Sequence, residues 1–338
     1  MALFDPYAKE TGVILETRDA KLTSPSAEAL AGFDLVDLPA SLAADACRLG
    51  TIKPLDWTQL GGDAARKDFL PGTATDCAAG NTVWSALMVY AAPAFADKRQ
   101  PLSVVDAFDT TRTAGKRAFP KSPRHLFELA LLADGVPPAQ VYRALETGAG
   151  INRVFLKLER MKADIVWWDR PADAIEMIRK GTAALALTYN GRAFFAAVRD
   201  RVPLVPVWTG QIIDANVWAI PASASPEKAT AALQFIRYAI EPKRQAMQTR
   251  WFPYGPARSS AAAFVGKHAE INMEMAPYLP TTPANMKLSL PFNAAFWAVH
   301  EASLTERLQA WADGIIDWQG TPVRKPQPPG ARTASGRR

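Results

Sequence analysis

Apolar side chains recur at helical spacing in three stretches: Leu126, Leu129, Ala130 and Ala133; Ile151, Val154, Phe155, Leu158 and Met161; and Ala229, Ala232, Leu233, Ile236 and Ile240. Each stripe predicts a one-sided helix packed against a sheet. Short apolar runs at 33–36, 83–90, 165–168, 184–187 and 217–220 alternate with these stripes and read as strands. Strand and helix in alternation predict an α/β fold, rich in parallel pairs. From 251 to 291 the pattern thins and prolines recur at 253, 256, 277, 280, 283 and 291, which predicts loops and short helices over a surface. A last amphipathic helix is expected at about 293–313.

Three of the apolar runs end in polar and aromatic clusters. The run at 165–168 closes on Trp168 and Asp169, the run at 184–188 on Tyr189, Asn190, Gly191 and Arg192, and a third region carries Trp208, Gln211, Asp214, Asn216 and Trp218. Ligands of open α/β sheets bind where strand ends meet helix N-termini, so the three clusters are expected to form one pocket. Trp167 and Trp168 are adjacent on a strand and point to opposite faces, so at most one serves the pocket.

Composition narrows the class of protein. The chain has 338 residues, 49% of them apolar, enough for about two domains with buried cores. Its formal charge is +6, but five basic residues without an acid lie in the Pro- and Gly-rich segment 321–338, so the rest of the chain carries only +1. A nucleic-acid-binding role gains nothing from the high pI, and the tail is expected to be disordered. No apolar run reaches the roughly 18 residues of a membrane span, and the longest, 86–96, is broken by Pro93. Residues 1–6 show neither a basic n-region nor an apolar h-region. Cys47 and Cys77 stand alone, which fits one disulfide or two buried thiols, and neither has metal-type spacing.

Several motifs have structural readings that account for them. Gly148-Ala149-Gly150 follows a helix and has Arg153 where a dinucleotide loop needs its third glycine. Ser225-Pro226-Glu227-Lys228 has Ser/Lys hydrolase spacing, yet it is also a Ser cap, a first-turn proline and a first-turn acid. His125, His268 and His300 are scattered and read as surface or packing residues, as Trp84, Trp208, Trp251, Trp297, Trp311 and Trp318 read as core or interface aromatics.

In order and spacing, the segments from Phe4 to Trp311 resemble the periplasmic substrate-binding proteins of ABC importers, in the spermidine/putrescine-binding group and its amino-acid-binding, GABA-like relatives. The resemblance rests on Phe4-Asp5-Pro6-Tyr7-Ala8-Lys9-Glu10-Thr11-Gly12, Val83-Trp84-Ser85, Asp106-Ala107-Phe108-Asp109 with Gly115-Lys116-Arg117, and Ala130-Leu131-Leu132-Ala133-Asp134-Gly135-Val136. It continues through Val166-Trp167-Trp168, Tyr189-Asn190-Gly191-Arg192, Trp218-Ala219-Ile220-Pro221 and Tyr254-Gly255-Pro256.

The resemblance implies a two-lobed type II binding-protein fold that closes on its ligand. Lobe one is expected at 1–89 and 212–313, its C-terminal helices over the hinge, and lobe two at 90–211. It further implies a periplasmic monomer that delivers a small amine-bearing solute, a polyamine or γ-amino acid, to an inner-membrane permease. No catalysis, cofactor, metal or nucleic acid is implied, and export favours a Cys47–Cys77 disulfide. An enzyme or a ligand sensor on the same scaffold is the alternative. Such relatives open with an export signal and a strand, whereas these residues open at the following helix, so a missing first strand is expected.

Expected ligand residues are Tyr189, Asn190, Arg192, Asp214, Asn216, Trp218, Trp168, Asp169 and Tyr254. Amine-binding relatives place a carboxylate five positions before the proline that here is Pro221; this chain has Asn216 there, and Asp214, two residues earlier on the same strand face, is the expected replacement. Arg192 is expected either on a ligand carboxylate or in a salt bridge within its lobe. Tyr189 and Trp218 are expected to present ring faces to an ammonium.

Overall fold

A computed structural model describes residues 3–20 and 24–323. The part of the expected tail from 324 onward lies outside the described residues.

The first 91 residues comprise α1 (Phe4–Thr11), α2 (Ala27–Leu30), β1 (Val36–Pro39), α3 (Ala40–Arg48), α4 (Gly62–Lys67) and β2 (Ala78–Ala91). Then come α5 (Val104–Ala107), β3 (Arg117–Pro120), α6 (Leu126–Ala133), α7 (Val141–Leu145), α8 (Gly148–Glu159), β4 (Ile165–Trp168), α9 (Pro171–Arg179), β5 (Leu185–Tyr189) and α10 (Asn190–Val198). The chain continues through β6 (Leu204–Ala219), α11 (Pro226–Ala239), α12 (Pro242–Gln248), β7 (Gly255–Pro256), β8 (Leu290–Pro291) and α13 (Ala294–Ala312).

Strand order is β1-β6-β2-β5-β3-β4, with β7 on β2 and β8 on β6. The expectation of a parallel-rich sheet needs correction. β2 and β6, 14 and 16 residues long, run antiparallel to each other, and β1–β6, β2–β5 and β2–β7 are antiparallel too. Only β3–β4, β3–β5 and β6–β8 are parallel, the first two because helices between the strands return the chain in βαβ fashion. Apolar runs announce strands, but their spacing carries no information about the direction of the partner.

The two long strands serve two sets of cores. On one side Leu3, Tyr7, Trp57, Phe69, Trp218, Phe235 and Ile236 pack together, and Leu30, Val36, Leu38, Ala46, Val217 and Ala219 form a second cluster. On the other, Phe95, Phe119, Phe127, Phe155 and Leu187 form the largest cluster, and Leu87, Val89, Ala118, Trp168, Ala186 and Ile178 a smaller one. The last helix, α13, was expected in lobe one. Its Trp297 and Trp311 belong instead to the largest cluster, where their indole N–H groups donate to Glu128 on α6 and Glu159 on α8, each at 2.5 Å. Nor is α6 one-sided: all eight of its residues are buried, Glu128 included.

Cys47, in the last turn of α3, is bonded to Cys77, just before β2, with Cα atoms 5.8 Å apart. Gly148-Ala149-Gly150 is the first turn of α8, capped by Thr147, and a Cβ at Gly150 would collide with the Ala144 carbonyl. The Ser225 hydroxyl accepts from the Lys228 amide at 3.3 Å, an N-cap. Among the described residues no group of three or more His, Cys, Asp or Glu is placed to hold a metal, and no helix is long and apolar enough to cross a membrane.

Candidate ligand cleft

A cavity of about 710 Å³ opens where the C-terminal ends of β3, β4 and β5 face the start of α3 and the beginning of α13. One wall comes from Trp84 on β2, Arg124 and His125 before α6, Trp168 and Asp169 after β4, and Thr188 and Tyr189 at the end of β5. Asp214 on β6 lines the same cavity, as do Pro39, Ser41 and Asp45.

Of the nine expected ligand residues, Trp168, Asp169, Tyr189 and Asp214 line this cavity. Trp167 takes the other face of β4, its ring 6.4 Å from Trp311. Asp214 is set opposite Trp84 in the β2–β6 ladder, and one of its carboxylate oxygens accepts from the Ala215 amide at 2.7 Å. Burial pushes its carboxyl up to about 6, against the opposing pull of that amide and of Arg124. The Tyr189 ring meets Trp84 edge-on at 5.6 Å and His125 at 5.7 Å.

The other five are placed differently. Asn190 is buried: its carbonyl accepts from the Ser85 amide at 2.9 Å and its NH2 donates to the Pro253 carbonyl at 2.6 Å, so it ties α10 to backbone rather than to the cavity. Asn216 hydrogen-bonds the Asp37 carboxylate, as does Asn81 at 3.2 Å. Trp218 does not present a face to a ligand. It is 4% exposed and packs on Phe235 at 5.3 Å and Phe4 at 6.3 Å. Ala215 and Trp218, three apart, share one core, so strict alternation fails along this part of β6, beside the register shift at Gly80/Thr82. Tyr254 lies against Gly191 and stacks on Phe252 at 6.3 Å, away from the cavity lining. Arg192, in the first turn of α10, is exposed and has no ion pair or side-chain hydrogen bond among the described residues; its charge acts on Tyr189 and Tyr254.

Trp84, Arg124 and His125 were not anticipated in the site. The latter two sit in the loop after β3, a four-residue strand that the hydrophobic pattern does not announce, so the loop at its end had no strand to mark it. His125 is buried among the Trp84, Tyr189 and Phe292 rings, with φ 64. Burial, reinforced by Arg124, pushes its imidazole down to about 3, so it is neutral at physiological pH.

Most charges in the wall are matched within the protein. Arg124 pairs with Glu301 on α13 at 2.6 Å, Lys121 with Asp169 at 3.4 Å and Asp45 with Arg48 at 3.2 Å. Asp214 has no ion pair among the described residues. A carboxylate shielded in a cavity, ringed by aromatic edges and faces, is suited to hold a small organic cation.

Two α/β core groups share the long strands β2 and β6, with a cavity at the strand ends, an architecture suited to holding a small solute and found in the solute-binding proteins of ABC transporters. The chain belongs to the bacterial extracellular solute-binding protein family, whose pattern it matches over residues 2–281. It is 32% identical over 316 residues to the gamma-aminobutyric acid-binding protein of Pseudomonas aeruginosa, covering 92% of this chain and 86% of that protein. Similar solved structures include an ABC transporter substrate-binding protein from Bradyrhizobium japonicum, 25% identical with a TM-score of 0.74 over 92% of this chain and 93% of that one. A GABA receptor structure is 26% identical with a TM-score of 0.71, covering 96% and 94% of the two chains.

Proposed function

We propose that this protein captures a zwitterionic ω-amino acid of the γ-aminobutyrate type in the periplasm and, as a monomer, hands it unaltered to an inner-membrane permease. The observation that carries the reading is Asp214, an acidic residue of the cavity wall that has no ion pair among the described residues. It is the seat for the ligand ammonium, with Trp84 and Tyr189 around it and Trp168 and Asp169 along the same wall. Arg192, its guanidinium unpaired beside Tyr189, takes the ligand carboxylate when the lobes close. Lobe one in this reading is built on 1–89 and the chain from 212, lobe two on 90–211, with α13 attached to lobe two by its tryptophans. The similarity to proteins named for γ-aminobutyrate supports the ligand class.

A diamine such as putrescine is the second reading, favoured by the aromatic and acidic surroundings of Asp214. It needs a second unpaired carboxylate at its far end, and Asp45 and Asp169 are both engaged by cations. Calorimetry with 4-aminobutanoate and putrescine tests the choice. Tighter binding of 4-aminobutanoate is expected; binding of putrescine alone would replace the proposed ligand class, and binding of neither would remove Asp214 as an amine seat.

A further inference from the structure

Four aromatic rings line the cavity together with Asp214, and the sheet sets their relation. Trp84 stands opposite Asp214 in the β2–β6 pair, and Ala86, two residues on, stands opposite Tyr189 in the β2–β5 pair. Side chains two apart on a strand share a face, so Trp84, Tyr189 and Asp214 project from the same side of the sheet. On the other flank of Asp214, Ile213 pairs with Pro291, and the Phe292 amide donates to the Ile213 carbonyl at 2.8 Å, which brings Phe292 level with Asp214. His125, from the loop after β3, meets all three rings, 5.0 Å from Phe292, 5.7 Å from Tyr189 and 6.4 Å from Trp84. Trp84, Tyr189, Phe292 and Asp214 are each partly exposed, and all five residues line the cavity.

Such surroundings discriminate among ammonium groups. A primary ammonium is compact and strongly hydrated, and it brings three N–H donors that each need an acceptor once water is excluded. Asp214 meets only part of that demand, because one of its oxygens already accepts from the Ala215 amide at 2.7 Å. Its neighbours on either side, Trp84 and Phe292, offer no side-chain acceptor. Each methyl on the nitrogen removes one donor, spreads the positive charge over a larger surface and weakens its hydration. The same methyls make apolar contact with ring faces, which attract a desolvated cation most strongly. The nearby basic groups do not oppose this. Arg124 is paired with Glu301 at 2.6 Å, and the buried imidazole of His125 is neutral at physiological pH.

We propose that Trp84, His125, Tyr189 and Phe292 form, with Asp214, a specificity pocket for an N-methylated ammonium. The preferred substrate class is then an ω-amino acid methylated on its nitrogen, up to the quaternary betaine, rather than the free amine. This inference rests on the reading of Asp214 as the amine seat.

Calorimetry with 4-aminobutanoate, 4-(methylamino)butanoate and 4-(trimethylammonio)butanoate tests it, since chain and carboxylate stay constant across the three. Affinity is expected to rise with methylation, the quaternary compound binding about tenfold more tightly than the parent. Phe292→Leu and Tyr189→Leu should each lower that ratio by about threefold, whereas Tyr189→Phe, which keeps the ring, retains it. Thermal melting of each variant confirms that the ratio is read on folded protein, and the wild-type series alone decides if a variant does not fold. Affinity that is level or falls with methylation in the wild type overturns the pocket and leaves the amine seat standing. So does a preference that survives both Phe292→Leu and Tyr189→Leu. Binding of none of the three overturns the amine seat and the pocket together.

Discussion

Asp214 and Trp84 face each other across the antiparallel pair of β6 and β2, both lining the cavity, the carboxylate without an ion pair among the described residues. An ammonium placed there meets charge and ring together, and the carboxylate has to be ionised to hold it.

The pH dependence of binding follows from that requirement. Burial holds the Asp214 carboxyl up to about 6, so below that pH the empty site is protonated and an amine has to displace a proton. Affinity for 4-aminobutanoate is expected to be flat above about pH 7 and to fall by about tenfold per unit once pH is well below 6. In Asp214→Asn the affinity is lost and the pH dependence with it. Calorimetry from pH 5 to 8 reads both, and a wild-type affinity constant over that range would exclude Asp214 from the amine contact.

Removing Arg192 is expected to separate two ligand types. Its guanidinium is exposed and has no ion pair among the described residues, so Arg192→Ala should alter unfolding stability by less than about 0.5 kcal/mol. Loss of a shielded, charge-assisted contact of about 1.5–3 kcal/mol weakens 4-aminobutanoate by tenfold or more and leaves putrescine nearly unaffected. Equal losses for the two would show that Arg192 does not meet a carboxylate.

Glu128 confers a second pH effect, on stability. Burial pushes its carboxyl up to about 7, despite hydrogen bonds from Trp297 and Tyr142. A carboxyl whose pKa is raised by folding binds more protons folded than unfolded between about 4.5 and 7, so stability falls as pH rises through that window. Glu128→Gln keeps an acceptor for the Trp297 indole and removes the buried charge. Denaturation at pH 8 should find the variant more stable by about 1–3 kcal/mol, with the difference shrinking towards pH 5. No difference at pH 8 would show that the carboxylate is compensated where it lies.

Reducing the Cys47–Cys77 bond should cost about 3–4 kcal/mol, the loop-closure entropy of its 30-residue separation. Chemical denaturation of Cys47→Ser/Cys77→Ser against wild type measures that loss, and thiol titration of the unfolded, unreduced protein should find no free thiol. Two free thiols would mean that the pair does not form in solution.

Legibility in the sequence followed the range of the interactions involved. Strand β4 was readable to the residue, because four apolar residues bounded by polar ones need no partner to be recognised. The cap at Ser225 was equally local. β3 was invisible as a strand: Arg117, Ala118, Phe119 and Pro120 lack an alternating pattern because all four are buried, Arg117 against the carbonyls of Ala107, Gly115, Asp109 and Thr113. With it went the loop holding Arg124 and His125.

By itself the sequence determined the α/β class, most of the helices, the family, and four residues of the cavity wall, because residues at the ends of strands stay at strand ends whatever the sheet order. Tertiary structure alone decided that β2 and β6 run antiparallel through both core groups, that α13 docks on α6 and α8, and that Trp218 is turned into a core while Trp84 and His125 reach the cavity. Each of these depends on which distant segment a side chain meets. Periodicity records that a residue has a buried face, but the free energy that chooses its partner comes from packing and hydrogen bonding between segments far apart in the chain.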